Sequence, residues 1–274
     1  MDPFEVGRVR PRLPEDLVPR LEVVPRAGST NSEMARSAAD WPDFGVLLAE
    51  HQEAGRGRAG REWTTPPGTS LTVSVMLRPP VPQERWAWAG LLGALAVVRA
   101  VGAFGLLAWA KWPNDVVVDS HAAHVDGWGS LRKVAGVLAE VVPGGIVLGI
   151  GVNVLQRTEE LPVPWAGSLA SLGAQVPERP REELVVHLVR QLWQLDERWR
   201  AHDGDAAEAG LLEEYAAACR TLGRPVAVTL PGGEVLAGTA EGLATDGALV
   251  VRTAEGQREL VRSGDVQHLR VPGV

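Results

Sequence analysis

A single cysteine, Cys219, in 274 residues excludes an internal disulfide and a multi-cysteine zinc site, and fits a reducing compartment. No apolar run reaches the roughly 20 residues that a membrane span needs. The richest stretch, Leu91 to Val98, stops at Arg99. The opening segment MDPFEVGRVRPRLPEDLVPR lacks an apolar core, so no signal peptide is expected. Basic charge is in short supply. A net charge of −7 argues against a non-specific nucleic-acid binder, which needs a basic face to neutralise phosphate. No G-x-S-x-G or H-E-x-x-H occurs, and Cys219 shows no local sign of activation, so covalent catalysis by the protein is not expected. Positioning and charge stabilisation remain. What is present, 45% hydrophobic and 22% charged residues, predicts a soluble cytoplasmic chain with a sizeable core.

Residues 1–20, rich in Pro and Arg, read as an extension wandering over the surface, too short and proline-broken for a helix-turn-helix domain. GSTNSEMARSAAD (28–40) predicts a helix in which Thr30 and Glu33 have capping-box spacing. FGVLLAEHQ (44–52) reads as a buried strand. TSLTVSVMLR (69–78) reads as another, with Leu71, Val73, Val75 and Leu77 alternating with Thr, Ser and Met. A long buried helix is expected over 82–105, two strands joined near Gly144 over 133–155, and helices over 181–201 and 206–220. From Pro225 short β runs separated by PGG, TDG and AEG turns predict a barrel-like module of about fifty residues. Hairpins and helices do not alternate β-α-β-α, so the main body reads as α+β. The expected divisions are an extension at 1–20, a main domain at 21–222 and a small β domain at 223–274.

EAGRGRAGREW (53–63) spells G-x-G-x-x-G at Gly55, Gly57 and Gly60, with Arg56, Arg58 and Arg61 threaded through it. A dinucleotide loop must open a helix. Here two adjacent prolines and a strand-like alternation follow, which excludes it. Two readings remain: a solvated loop, or an anion-binding loop whose arginine forks grip carboxylate or phosphate beside the flat ring of Trp63. In AKWPNDVVVD, Lys111, Asn114 and Asp115 surround a turn that local geometry alone would explain. The same groups suit a cation, an amine or a phosphate. Lys133 begins a strand with Gly136 three residues on. GIGVNV (149–154) sets glycines inside a strand, a mark of close approach by a ligand or backbone, with Asn153 able to enter a cavity. His121 and His124 form the only close histidine pair and lack an obvious third metal ligand.

The blocks GSTN (28–31), AEHQEAGRGRAGREW (49–63), KWPNDV (111–116), KVAGVLAE (133–140) and GIGVNV (149–154) occur in the order seen in biotin protein ligases, which the chain resembles from about residue 22 to 270. The resemblance implies a mixed sheet with flanking helices, related to class II aminoacyl-tRNA synthetases and lipoate ligases, plus an SH3-like C-terminal domain. It implies activation of biotin by MgATP to biotinyl-5′-AMP, then transfer to a lysine of a biotin carboxyl carrier domain. Ser29, Thr30, Asn31 and Gln52 would border the biotin ring. Gly55, Arg56, Gly57 and Arg58 would belong to a ligand-gripping loop that orders around its ligand, with Trp63 near the adenine. Lys133 would bridge biotin carboxylate and α-phosphate, and Lys111 would lie by the phosphates. Asn114 and Asp115 would sit at the adenylate, Asp115 orienting the incoming amine; Gly136 and Asn153 would line the cavity. The Mg2+ ligands are not identified by the motifs. Some relatives carry an N-terminal DNA-binding domain, but here the motifs begin near residue 28, so no DNA partner is expected. A lipoate- or octanoate-transferring relative is the alternative. DSHAAHVDGWGSLR, ahead of Lys133, looks longer than the usual turn and is expected to be exposed surface.

Overall fold

The computed structural model describes residues 3–64, 66–121 and 124–269. Met1 and Asp2 of the extension, Ala122 and Ala123 of the loop before Lys133, and residues 270–274 of the β module lie outside them, as does Thr65. The Pro/Arg-rich start does not wander. It forms a short helix α1 (Val6–Val9) and a 3-10 turn at Arg10–Arg12. Val9, Leu13 and Val18 are fully buried, at spacings of four and five residues that its Pro and Arg content obscures. Arg12 grips Glu183 with both guanidinium nitrogens, at 2.6 and 2.8 Å.

Strand β1 (Leu21–Val24) pairs in parallel with β2 (Val46–Ala49), and every later pairing is antiparallel. With β3 (Ser70–Leu77), β4 (Ala108–Lys111), β5 (Asp115–Asp119), β6 (Leu131–Val142) and β7 (Gly145–Asn153), they make a seven-stranded mixed sheet ordered β1-β2-β3-β7-β6-β5-β4. The KWPND block therefore turns between two strands, not between a helix and a strand.

All eight β3 residues are buried, the polar ones of the alternation included. Leu71, Val73, Val75 and Leu77 enter the main core with helices α3 (Trp88–Gly102) and α4 (Pro180–Arg200). Met76, on the opposite face, joins Leu47 and Val147 beneath α2 (Thr30–Arg36). Thr72 and Ser74 share that second face and spend their hydroxyls on protein, not solvent: Thr72 donates to the Ala49 carbonyl at 2.8 Å.

After α5 (Leu211–Ala217) the chain forms the expected β module: β8 (Pro225–Thr229), β9 (Val235–Leu243), β10 (Leu249–Arg252), β11 (Arg258–Val261) and β12 (Asp265–His268), ordered β11-β10-β9-β8-β12 and antiparallel throughout. Two indoles at most 1% exposed rivet it to the main body. Trp88 donates to the Thr245 carbonyl at 2.7 Å and Trp112 to the Gly247 carbonyl at 3.0 Å. Each combines a large apolar burial with a satisfied N–H, which is what makes tryptophan effective at such a seam.

Helix α4 also carries a buried charge. Asp196, fully buried, pairs with Arg200 one turn on, and Arg200 holds Asp43 at 2.5 and 3.1 Å. Burial pushes the Asp196 carboxyl up to about 7, against the pull of Arg200. The folded value lies above the unfolded value of about 4, so the native state holds this proton more tightly. The stability it contributes is present below about pH 4 and is lost as pH rises through about 7. At about 1.4 kcal/mol per unit, that is at most roughly 4 kcal/mol. Asp196→Asn is expected to flatten this part of the pH–stability curve, read by urea unfolding from pH 4 to 8. A slope equal to that of the parent would contradict the assignment.

Candidate active site

A cleft opens on the sheet face opposite α3 because three neighbouring positions carry no side chain. Gly136 on β6 is in register with Gly151 on β7, and Leu138 with Gly149. A Cβ at Gly149 would stand 2.2 Å from Asn31 Oδ1, and one at Gly151 would stand 2.5 Å from the Trp63 indole. Such approaches are possible only over glycine. The cleft has a volume of about 250 Å³. From Lys133 to Glu140 is seven steps of strand, roughly 23 Å at about 3.3 Å each, so β6 serves as a ruler along it.

At the Glu140 end sit Ser29, Thr30, Asn31 and Gln52, all lining the cleft. Thr30 does not form a capping box. Its amide and hydroxyl both donate to Gln52 Oε1, at 2.8 and 3.1 Å. Asn31 donates to the Leu138 carbonyl at 3.1 Å and to Glu140 at 2.9 Å, and accepts from Ser74 at 2.6 Å. Ser29, Thr30, Asn31 and Ser74 are buried, Gln52 and Glu140 half-buried, and all but Glu140 are uncharged. Thr30, Gln52, Asn31 and Ser74 are tied to one another or to the sheet. They form a preorganised polar pocket.

Over the middle lies the arginine loop, closed as a hairpin. Trp63 N donates to the Gly55 carbonyl at 2.8 Å and Gly57 N to the Arg61 carbonyl at 2.7 Å. Gly55 does not line the cleft; a Cβ there would meet the Trp63 carbonyl at 2.2 Å, so this glycine serves the hairpin's closure. Trp63 lies across Gly136 and Gly151, and its buried Nε1–H has no hydrogen-bond partner among the described residues. A buried donor left open in this way marks a place for a ligand acceptor. Arg56 pairs with Glu140 at 3.0 Å. Arg58 donates to Asn114 at 3.3 Å and to Ser263 at 2.9 Å, and Arg61 holds Asp265 with two nitrogens at 3.2 and 3.3 Å. Burial lowers the Arg58 pKa, yet a guanidinium remains cationic under any physiological condition.

At the far end Lys133 Nζ pairs with Asp115 at 2.6 Å and stands 5.6 Å from the Trp63 ring. Asp115 reaches the cleft through this pair and is not part of its lining. Asn114 lines the cleft and donates to the Val137 carbonyl at 3.1 Å. Asn153 also lines it and donates to the Gly167 carbonyl at 3.0 Å. Lys111 is elsewhere. It is buried, donates to the Val266 carbonyl of β12 at 2.5 Å and stands 4.4 Å from the Trp128 ring. Burial, partly offset by Asp115 and Asp265, pushes its pKa down. Its spacing in KWPND carries no hint of this, because the distant β module takes up its charge.

The sequence reading missed several cleft residues. Trp165 and Ala166 wall the far end from a loop whose motif is faint, and Glu140, just outside the lining, binds both Arg56 and Asn31. The one signal for Glu140 was its place, two residues beyond Leu138 on the same strand face. Among the described residues no group of three His, Cys, Asp or Glu is placed to hold a metal ion, and the cleft lining contains no histidine or cysteine. Nor is any described helix long and apolar enough to cross a membrane.

A model of the biotin/lipoate A/B protein ligase family matches residues 23–156, and one of the biotin protein ligase C terminal domain matches residues 221–269. A biotin–[acetyl-CoA-carboxylase] ligase of Mycobacterium tuberculosis is 38% identical over 258 residues, covering 92% of this chain and 90% of that relative. A bifunctional ligase/repressor of Bacillus subtilis is 29% identical over 90% of this chain and 72% of its own length. In fold, the chain is similar to a biotin protein ligase from Aquifex aeolicus solved in complex with biotin and ATP: TM-score 0.72, 23% identity, 92% of this chain and 99% of that one.

The arginine loop is strapped to the β module by an exposed pair, Arg61–Asp265, of a kind worth about 0.2–1 kcal/mol. Asp265→Ala is therefore expected to speed tryptic cleavage after Arg56, Arg58 and Arg61 by about two- to fivefold. Cleavage at the parent rate would show that the strap does not hold the loop.

Proposed function

Because this chain belongs to the biotin protein ligase family, we propose that it activates biotin with MgATP to biotinyl-5′-AMP and transfers the biotinyl group to a lysine of a carboxylase's biotin carboxyl carrier domain. The observation that carries the reading is a cleft with a rigid neutral pocket at one end and convergent cations toward the other, without a histidine or cysteine in its lining. A substrate carboxylate that is itself the nucleophile needs no activated side chain.

In this reading Ser29, Thr30, Asn31 and Gln52 hold the biotin ring, and its tail runs along β6 toward Lys133. A carboxylate and a triphosphate repel each other, so their approach requires cations placed in advance. Lys133 stands between carboxylate and α-phosphate, drawing charge from both as the new O–P bond forms and pyrophosphate leaves. Arg56 and Arg58 close from above, exchanging Glu140 and Asn114 for the anions, and Trp63 flanks the junction on the way to the nucleotide. Gly57 lets the loop backbone approach, while Gly136 and Asn153 border the adenylate. Once Lys133 turns to the substrate, Asp115 is released to orient the acceptor amine. Mg2+ accompanying ATP would supply further neutralisation of the phosphates, and Asp115, the carboxylate paired with Lys133, is the residue that would help hold it. Lys111 has no part in the chemistry and anchors the β module. We place the reaction in the cytoplasm, where ATP and apo-carboxylase meet. The lipoate alternative shares the family's description and nothing more specific in the curated relatives.

Incubation with biotin, MgATP and a carrier domain is expected to incorporate biotin; none incorporated would overturn the proposal. Lys133→Ala and Arg58→Ala are each expected to cut biotin-dependent pyrophosphate exchange by about a hundredfold or more. Near-parent rates would remove those roles. Calorimetric titration should show binding of biotin over lipoate, and a clear preference for lipoate would shift the assignment to the alternative.

A further inference from the structure

The loop expected to be mere surface reaches the cleft wall. Within it Val125 and Gly129 exchange backbone hydrogen bonds at 2.9 and 2.7 Å, which fixes a tight turn presenting Trp128. Trp128 stacks on Trp165, ring centroids 5.9 Å apart and planes 8° from parallel. Its opposite support is Lys111, whose ammonium lies 4.4 Å from the Trp128 ring while bonded to the Val266 carbonyl of β12. The turn is tied to the same strand a second time, His268 N donating to the Gly127 carbonyl at 3.1 Å. Trp165 in turn is locked to the strand that carries Lys133. The Lys133 amide donates to the Trp165 carbonyl at 2.7 Å, and Gly167 N donates back to the Lys133 carbonyl at 2.9 Å.

We propose that Trp128 is a positioning residue: it braces Trp165, and through it the wall at the Lys133 end of the cleft, against the C-terminal β module. The proposal rests on the ligase reading for one point only, that this end receives the nucleotide while the Asn31 end receives the biotin ring. Stacking of this kind contributes about 0.5–1.5 kcal/mol beyond buried area, and the buried ammonium over the ring adds a comparable amount. The wall segment has no helix or strand of its own; hydrogen bonds to Lys133 and Asn153 hold its chain, and the indole stack holds the Trp165 side chain against it.

Hydrogen–deuterium exchange of the substrate-free protein tests the brace directly. Trp128→Ala is expected to speed exchange at the Gly167 and Lys133 amides by about tenfold, and Trp128→Phe, which keeps a stacking ring, by less than about threefold. In steady-state adenylation Trp128→Ala is expected to raise KM for ATP about tenfold, with KM for biotin and kcat within about threefold and most of the loss restored by Phe. Unchanged exchange in Trp128→Ala would overturn the brace. Equal rises in both KM values, or no rescue by Phe, would overturn the positioning role. If the alanine variant does not fold, Trp128→Leu, which keeps bulk and removes the ring, takes its place with the same expectations. A wild type inactive with biotin and ATP would refute the ligase reading and the kinetic arm with it, whereas the exchange measurement is decided without substrates.

Discussion

The site depends on a strip of bare backbone. Gly136, Gly149 and Gly151 lie side by side in the middle of an otherwise filled sheet, and everything on that face is arranged by the room they leave. Asn31 settles against Gly149 and Trp63 against Gly151, both closer than any side chain would permit. Interior glycine weakens a strand by roughly 0.5–1 kcal/mol each, so three together are tolerated only where flanking strands are strongly fixed. They are: β6 and β7 are the two longest strands of their sheet, paired along eight consecutive positions, with α3 beneath. Rigidity of the scaffold and openness of the cleft are thus one property.

Over that strip the cations are already engaged. Arg56 is held by Glu140, Lys133 by Asp115, Arg58 by Asn114 and Ser263, and Arg61 by Asp265. These pairs hold the like charges apart, and the more exposed of them, Arg56–Glu140 and Arg61–Asp265, are individually weak. An anion entering the cleft therefore exchanges with carboxylates and amides at small cost, in surroundings where its own attraction to the cations is stronger than in water.

Much of this could be read from the residues, and the remainder shows where reading stops. Glycine and arginine in EAGRGRAGREW, glycine in GIGVNV and asparagine in GSTN were legible as compact motifs, although Asn31 and the strand glycines meet partners far along the chain. The strands expected within 44–52, 69–78 and 133–155 and the helices within 82–105 and 181–201 are present because their apolar periodicity is local, whereas β1 and β4 had no counterpart in the reading. Lys111 and the N-terminal segment were misjudged because what fixes them is remote. Val266 is 155 positions from Lys111, and Glu183 is 171 positions from Arg12. The β3 alternation identified the strand but not its surroundings: the second face, with Thr72 and Ser74, is a polar interior, and period-two patterning cannot distinguish water from a hydrogen-bonded pocket. Trp165 escaped notice because its loop has no regular period at all.

The C-terminal module is accordingly less an appendage than a second foundation. Trp88, Trp112 and Lys111 fix its position to the main body through three backbone carbonyls, Thr245, Gly247 and Val266. From that fixed position it reaches the cleft twice, through Ser263 and Asp265 to the arginine loop and through Gly127 and Trp128 to the far wall. Carbonyl acceptors make the anchoring insensitive to side-chain identity within the module. The contacts toward the cleft, by contrast, run largely through exchangeable polar and aromatic side chains. A strained or displaced module would therefore alter the loop and the wall together, while the Asn31 side chain keeps its bonds to β3 and β6. The Asn31 end and the Lys133 end of the cleft thus draw their support from largely different parts of the molecule.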